Sequence, residues 1–147
     1  MSQKNSISFE EFENNLYLID KLLEEKKYIE ADKIVLKLLD DHELLKKISD
    51  FEFAYLLDKF GEISHHLEQF DNAEKSYKSA KKLYIKVLDN NEPFLGLFFL
   101  KLAEFYGYYD YPIKALEELE NASKVFEKSF GKNNICLLYT SDAADDL

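Results

Sequence analysis

The chain of 147 residues has no tryptophan, one cysteine, two prolines and four glycines. A lone cysteine, Cys136, has no partner within the chain, so a disulfide-stapled fold is excluded. So little glycine and proline leaves few turns, which favours long helices over many short strands. Long uncharged apolar runs are also missing. The nearest, "PFLGLFFLKLAEFY", is broken by Lys101 and Glu104 and does not reach the ~18 residues of a membrane span. "SQKNSISFEEFENN", directly after Met1, has no apolar run for a signal peptide. Together these point to a soluble, cytoplasmic protein. Positive charge is in deficit too, with a formal net charge of −10, and phosphate backbones and anionic lipid surfaces repel such a chain. Nucleic acid and membrane are therefore not expected partners. No phosphate-binding glycine loop, paired CxxC, HExxH or GxSxG is present, so no catalytic residue and no cofactor is assigned, and the visible chain is read as non-enzymatic.

What is abundant is apolar and aromatic: 46% hydrophobic residues, with Phe 12 and Tyr 10, enough for the core of one ordinary domain. Their arrangement repeats. Ala31, Ala73 and Ala115 stand at steps of 42, inside "KKYIEADKIVLKLL", "EQFDNAEKSYKSAKKLY" and "YDYPIKALEELENASKVF". The same step joins Leu18, Phe60 and Leu102; Ile19, Gly61 and Ala103; Val35, Tyr77 and Leu119; and Leu38, Ala80 and Ala122. Within a unit, Ala73, Tyr77 and Ala80 fall at i, i+4 and i+7, one face of a helix. Small residues at Gly61, Ala73, Ala80, Ala103, Ala115 and Ala122 let helices approach closely, with Phe60, Tyr77 and Leu102 filling the space between them.

Boundary signals place the helices. Ser8 with Glu11 and Ser49 with Glu52 have capping-box spacing. Pro93 suits a first helical turn, and Gly131 suits a C-cap. The expected helices are 9–25, 28–40, 51–67, 71–88, 94–107 and 112–130, with an extra turn at 43–48.

These columns resemble the tetratricopeptide family. The matching residues are a small residue late in the first helix (Gly61, Ala103), an aromatic at the turn (Tyr28, Phe70), an alanine early in the second helix (Ala31, Ala73, Ala115), an aromatic one turn later (Tyr77) and an alanine beyond it (Ala80, Ala122). The usual repeat is about 34 residues; the step of 42 here is similar to the longer variety of kinesin light chains and some bacterial peptide-sensing regulators. The turn position usually held by glycine carries Lys26, Glu68 and Asp110 instead. The resemblance implies an all-α fold, a right-handed superhelical array of antiparallel helix pairs. It would comprise a lead at 1–8 and three units at about 9–50, 51–92 and 93–134, with 135–147 outside it as a tail of separate, foreign origin. It also implies a protein-binding or peptide-binding scaffold, with a peptide-responsive sensor or the interaction domain of an enzyme as alternatives.

Asp20, Glu62 and Glu104 form a further column at steps of 42. The resemblance puts that column on the concave groove, an acidic ladder suited to a Lys-, Arg- or amine-bearing segment; the other reading is a solvated acidic stripe. The same alignment implies a partner-binding set of Tyr55, Asp58, Lys59, Glu62, His65, His66, Lys101, Glu104 and Tyr108, with Glu62 and Glu104 as electrostatic contacts and Tyr55 and Tyr108 as apolar anchors. The positions of a carboxylate clamp read Leu16, Asp58, Leu100 and Asp20, Glu62, Glu104, which disfavours an acidic C-terminal peptide. Asp58, Glu62 and His65 or His66 share a helical face, but no second converging set accompanies them and no metal is assigned. Phe94, Phe98, Phe99, Phe105, Tyr106, Tyr108, Tyr109 and Tyr111 surround one helix, an arrangement read as burial between the second repeat and a fourth, or as an aromatic binding wall or oligomer contact.

The closing "CLLYTSDAADD", Cys136 to Asp146, is similar to the read-through of a transposase-based sequencing-library adapter. Setting aside its Asp142, Asp145 and Asp146 takes the net charge from −10 to −7. The expectation is that the native sequence stops near Asn134 and that the natural protein continues.

Overall fold

The computed structural model describes residues 6–131, and every regular element among them is an α-helix: α1 Phe9–Glu24, α2 Tyr28–Leu39, α3 His42–Lys47, α4 Asp50–His66, α5 Phe70–Val87, α6 Pro93–Tyr108 and α7 Pro112–Phe130. Each boundary falls within one residue of its expected place, including the short α3. The Cys136–Asp146 stretch lies outside the described residues. No helix among the described residues is long and apolar enough to cross a membrane.

Helix starts follow the local chemistry. Ser49 closes a full capping box: its Oγ accepts from the Glu52 N–H at 3.1 Å, and Glu52 Oε1 accepts from the Ser49 N–H at 2.9 Å. At Ser8 only the first half forms, with Oγ accepting from the Glu11 N–H at 3.2 Å. The expected box is thus incomplete there, although one orphan donor is still satisfied. Pro93 and Pro112 both occupy the first turn of their helices, where no intrahelical N–H is needed. Gly131 ends α7 at φ 86°, a region glycine enters without penalty.

The repeat is clearest in the backbone of the three turns. Lys26, Glu68 and Asp110 have φ of 60°, 61° and 66°, the only positive values outside glycine among the described residues. In each turn the next residue donates back to the carbonyl five earlier, Lys27 to Leu22, Gln69 to Ser64 and Tyr111 to Tyr106, all at 2.8 Å. The left-handed residue itself donates to Leu23, His65 or Gly107 at 3.1 to 3.2 Å. This pair of bonds is a Schellman motif, which satisfies carbonyls that the helix end leaves open. The chain therefore makes the same turn three times at a step of 42 without the glycine that would relieve it.

The chain divides into two compact units, Met1–Val87 and Leu88–Leu147. In the first, α1 pairs with α2, α4 pairs with α5, and α2 also packs on α4. Tyr28 at the start of α2 stacks on His66 at the end of α4, centroids 4.3 Å apart, so those two helices run antiparallel. Phe12 and Ile19 of α1, Ala31, Val35 and Leu38 of α2, Leu44 of α3 and Leu56 and Ile63 of α4 form one buried cluster. Burying each of the larger apolar side chains contributes about 1.5–3 kcal/mol. Between α4 and α5, Gly61 lies against the Tyr77 ring, and Ser76 Oγ donates to the Leu57 carbonyl at 2.6 Å. Asp41 fastens the lead segment: its carboxylate accepts from the Ile7 N–H at 2.8 Å and from Ser6 Oγ while capping α3 through the Leu44 N–H.

The second unit is the pair α6 and α7. A Cβ on Gly96 would meet the Phe126 ring at 2.6 Å, a second helix contact that depends on a missing side chain. Phe98, Phe99, Phe105 and Tyr106 of the aromatic run are buried, while Tyr108 and Tyr111 are exposed. The first four are interior side chains in the described residues, while burial against a fourth repeat is a separate matter that their exposure does not address.

Candidate functional site

The groove-implied residues do not behave as one set. Asp58 is a correction: it is 2% exposed and belongs to the interior. Its Oδ2 accepts from the Tyr84 hydroxyl at 2.9 Å, so the carboxylate faces α5 and not an open surface. Burial foremost, and then the negative charge of Asp58, push the Tyr84 hydroxyl well above the ordinary tyrosine range, so it stays a donor. The counterparts of Asp58 at steps of 42, Leu16 and Leu100, are apolar, which marks the position as interior.

Tyr55, Lys59 and Glu62 do come together, on successive turns of α4, and face Asp20 of α1. The Tyr55 hydroxyl donates to both Asp20 oxygens, at 3.0 and 2.8 Å. Lys59 Nζ lies 3.3 Å from Asp20 Oδ1, 3.8 Å from Glu62 Oε2 and 4.9 Å from the centre of the Tyr55 ring. With Leu23 and Glu24 these residues line an open cleft of about 380 Å³. Three carboxylates and one ammonium leave its walls net negative. A cation held between two carboxylates and an aromatic face combines Coulombic attraction with a cation–π contact.

Two rungs of the acidic column, Asp20 and Glu62, therefore sit at one cleft and share Lys59. Glu104 is exposed on α6 in the second unit, together with half-buried Lys101 and exposed Tyr108. His66 is exposed and stacked between Tyr28 and the half-buried His65, whose ring lies 5.2 Å away. Among the residues expected to pack the repeats, Ala31, Gly61, Ala73, Tyr77, Ala80, Ala103 and Ala122 are buried, and Phe70 and Ala115 are half-buried.

Sequence reasoning missed Leu23 and Glu24 as lining residues. The signal was present for Glu24. It lies one helical turn after Asp20 and shares a column with His66 and Tyr108, both named for the groove. No protein-family model matches the chain, and no curated protein is significantly similar to it.

Proposed function

We propose that the chain is a tetratricopeptide-like binding scaffold of the cytoplasm that captures a positively charged protein segment, with the α1–α4 cleft as its recognition point. The observation that carries this is the position of Lys59: its ammonium rests across the Tyr55 ring between Asp20 and Glu62. The chain's own cation occupies the geometry that a lysine or arginine of a partner would use. The surrounding volume, with Glu24 and Leu23 on its wall, is large enough for such a side chain and its methylene stem.

The reading is supported by the recurrence of helix pairs with one turn geometry and by the absence of any local enzyme signature in the sequence. It is tested by calorimetric titration of a tri-arginine peptide against its tri-citrulline counterpart. Binding of the first, its loss on Glu62→Lys with helicity unchanged, and no binding of the second support the scaffold. Equal binding of the two peptides, or binding indifferent to Glu62→Lys, removes the cleft as a cation site.

A further inference from the structure

The repeat provides an internal comparison at its three turns. The residue after each left-handed position and the one three further on are Lys27 and Glu30, Gln69 and Asn72, and Tyr111 and Lys114. In the first turn the pair carries opposite charges, and in the second Asn72 Nδ2 donates to Gln69 Oε1 at 3.2 Å. In the third, Lys114 Nζ lies 5.2 Å from the centre of the Tyr111 ring. Each pair spans the start of a second helix, the spacing at which side chains meet. Two of the three do so without a ring.

The third turn adds another aromatic wall. Lys114 Nζ is 5.3 Å from the centre of the Tyr106 ring, in a column that holds Leu22 and Ser64 in the earlier units. The Tyr106 and Tyr111 rings stand 6.3 Å apart at 73°, so the ammonium occupies the corner of two nearly perpendicular faces. Both distances are inside the ~6 Å reach of a cation–π contact. The backbone sets this corner: the Tyr111 N–H donates to the Tyr106 carbonyl at 2.8 Å, and Pro112 follows directly. Tyr106, 6% exposed, is the inner wall, while Tyr111, 42% exposed, opens the outer one to solvent. Buried Glu118 lies at i+4 from Lys114 on the same face of α7 and adds a negative charge there.

A turn clasp does not require two rings, as the first two turns show. A primary ammonium is compact and strongly hydrated, so it gives up hydration to sit between them. A trimethylammonium group has no N–H to leave unpaired and presents methyl groups to both faces. We propose that the Tyr106–Tyr111 corner binds a quaternary trimethylammonium group, with Lys114 as the resident cation that such a ligand displaces. The site lies in the second unit and does not rest on the reading of the α1–α4 cleft. Trimethyllysine in a protein segment and the choline of a headgroup share this chemistry.

The test is a titration of the full chain followed by the NMR shifts of its tyrosine ring protons, with three probes: blocked trimethyllysine, its neutral isostere with carbon in place of the nitrogen, and phosphocholine. Saturable shifts of Tyr106 and Tyr111 are expected with trimethyllysine, and binding of the isostere should be about fivefold weaker or more, because it lacks the charge that the ring faces attract. Tyr111→Leu keeps an apolar side chain at the exposed wall and should weaken trimethyllysine binding by a similar factor. Lys114→Met, which removes the competitor and keeps the stem, should strengthen it several-fold and provides the reading should Tyr111→Leu unfold by circular dichroism. Phosphocholine distinguishes the source: tighter binding than trimethyllysine assigns a headgroup, and equal or weaker binding a protein segment. No saturable shift with either cation, equal binding of the neutral isostere, or affinity indifferent to both substitutions overturns the proposal.

Discussion

Gly61 of α4 lies face-on to Tyr77 of α5, so close that a Cβ at Gly61 would stand 2.6 Å from Cδ1 of the ring. The ring is fully buried and has no room to retreat. Gly61→Ala should therefore destabilise: overpacking of this kind costs about 1–3 kcal/mol, more than the helix propensity alanine adds. The repeat supplies its own suppressor, because the same two columns hold Ala103 and Leu119 one step later. Adding Tyr77→Leu to Gly61→Ala should raise the melting temperature above that of the single variant. Gly107, with nothing within 4 Å of its added Cβ, is the control; Gly107→Ala should stabilise by up to about 1 kcal/mol.

Lys26, Glu68 and Asp110 hold left-handed backbone that glycine adopts more readily. Each substitution, Lys26→Gly, Glu68→Gly or Asp110→Gly, should stabilise by roughly 1 kcal/mol, the net of relieved steric strain and the extra entropy of glycine in the unfolded chain. The first two turns touch, since Tyr28 stacks on His66, so the gains at Lys26 and Glu68 should depart from simple addition. Urea midpoints of the single and triple variants check both points.

The buried Asp58–Tyr84 pair makes a sharper double-mutant prediction. Tyr84→Phe removes the 2.9 Å donor from a carboxylate that is out of water, which should cost about 1–3 kcal/mol. One step along, the same two columns read Leu100 and Phe126. Asp58→Leu with Tyr84→Phe should recover most of the loss, because an apolar pair of similar shape leaves no charge to satisfy. Denaturant unfolding of the two singles and the double measures this coupling.

Asp41 provides a pH-dependent contact. The Ile7 N–H first, then the Leu44 N–H, and also Ser6 and Lys47, hold its carboxyl below the usual carboxylate range. A folded-state pKa lower than the unfolded one means that the contribution is present above the unfolded value of about 3.9 and is lost as pH falls through the lower folded value. The stability gap between the native chain and Asp41→Ala should thus be full near about pH 6 and shrink towards about pH 2. Thermal unfolding at the two pH values gives the sign directly.

Much of this architecture is legible from spacing alone. A step of 42 places helix pairs, and the alanine and glycine columns mark where helices touch, because close approach requires small side chains. The turns were less legible: without glycine at Lys26, Glu68 and Asp110, only hydrogen bonding in three dimensions shows that the three backbones agree. Asp58 was misplaced because the resemblance sets it on the groove beside Glu62 and Tyr55, whereas its partner Tyr84 lies 26 residues away in the next helix. Lys59 was assigned to the groove, yet its role as the cation between Asp20 and Glu62 depends on an α1–α4 distance that no local pattern encodes.

Lys59 is the internal cation that a partner's lysine or arginine would displace from between Asp20 and Glu62. Calorimetric titration of the tri-arginine peptide into the Lys59→Met variant isolates it, because methionine keeps the stem and removes only the tethered ammonium. Affinity several-fold above that of the native chain is the predicted result, since the peptide no longer displaces an internal competitor and the cleft gains net negative charge. Unchanged or weaker affinity would contradict a cation-binding cleft between α1 and α4.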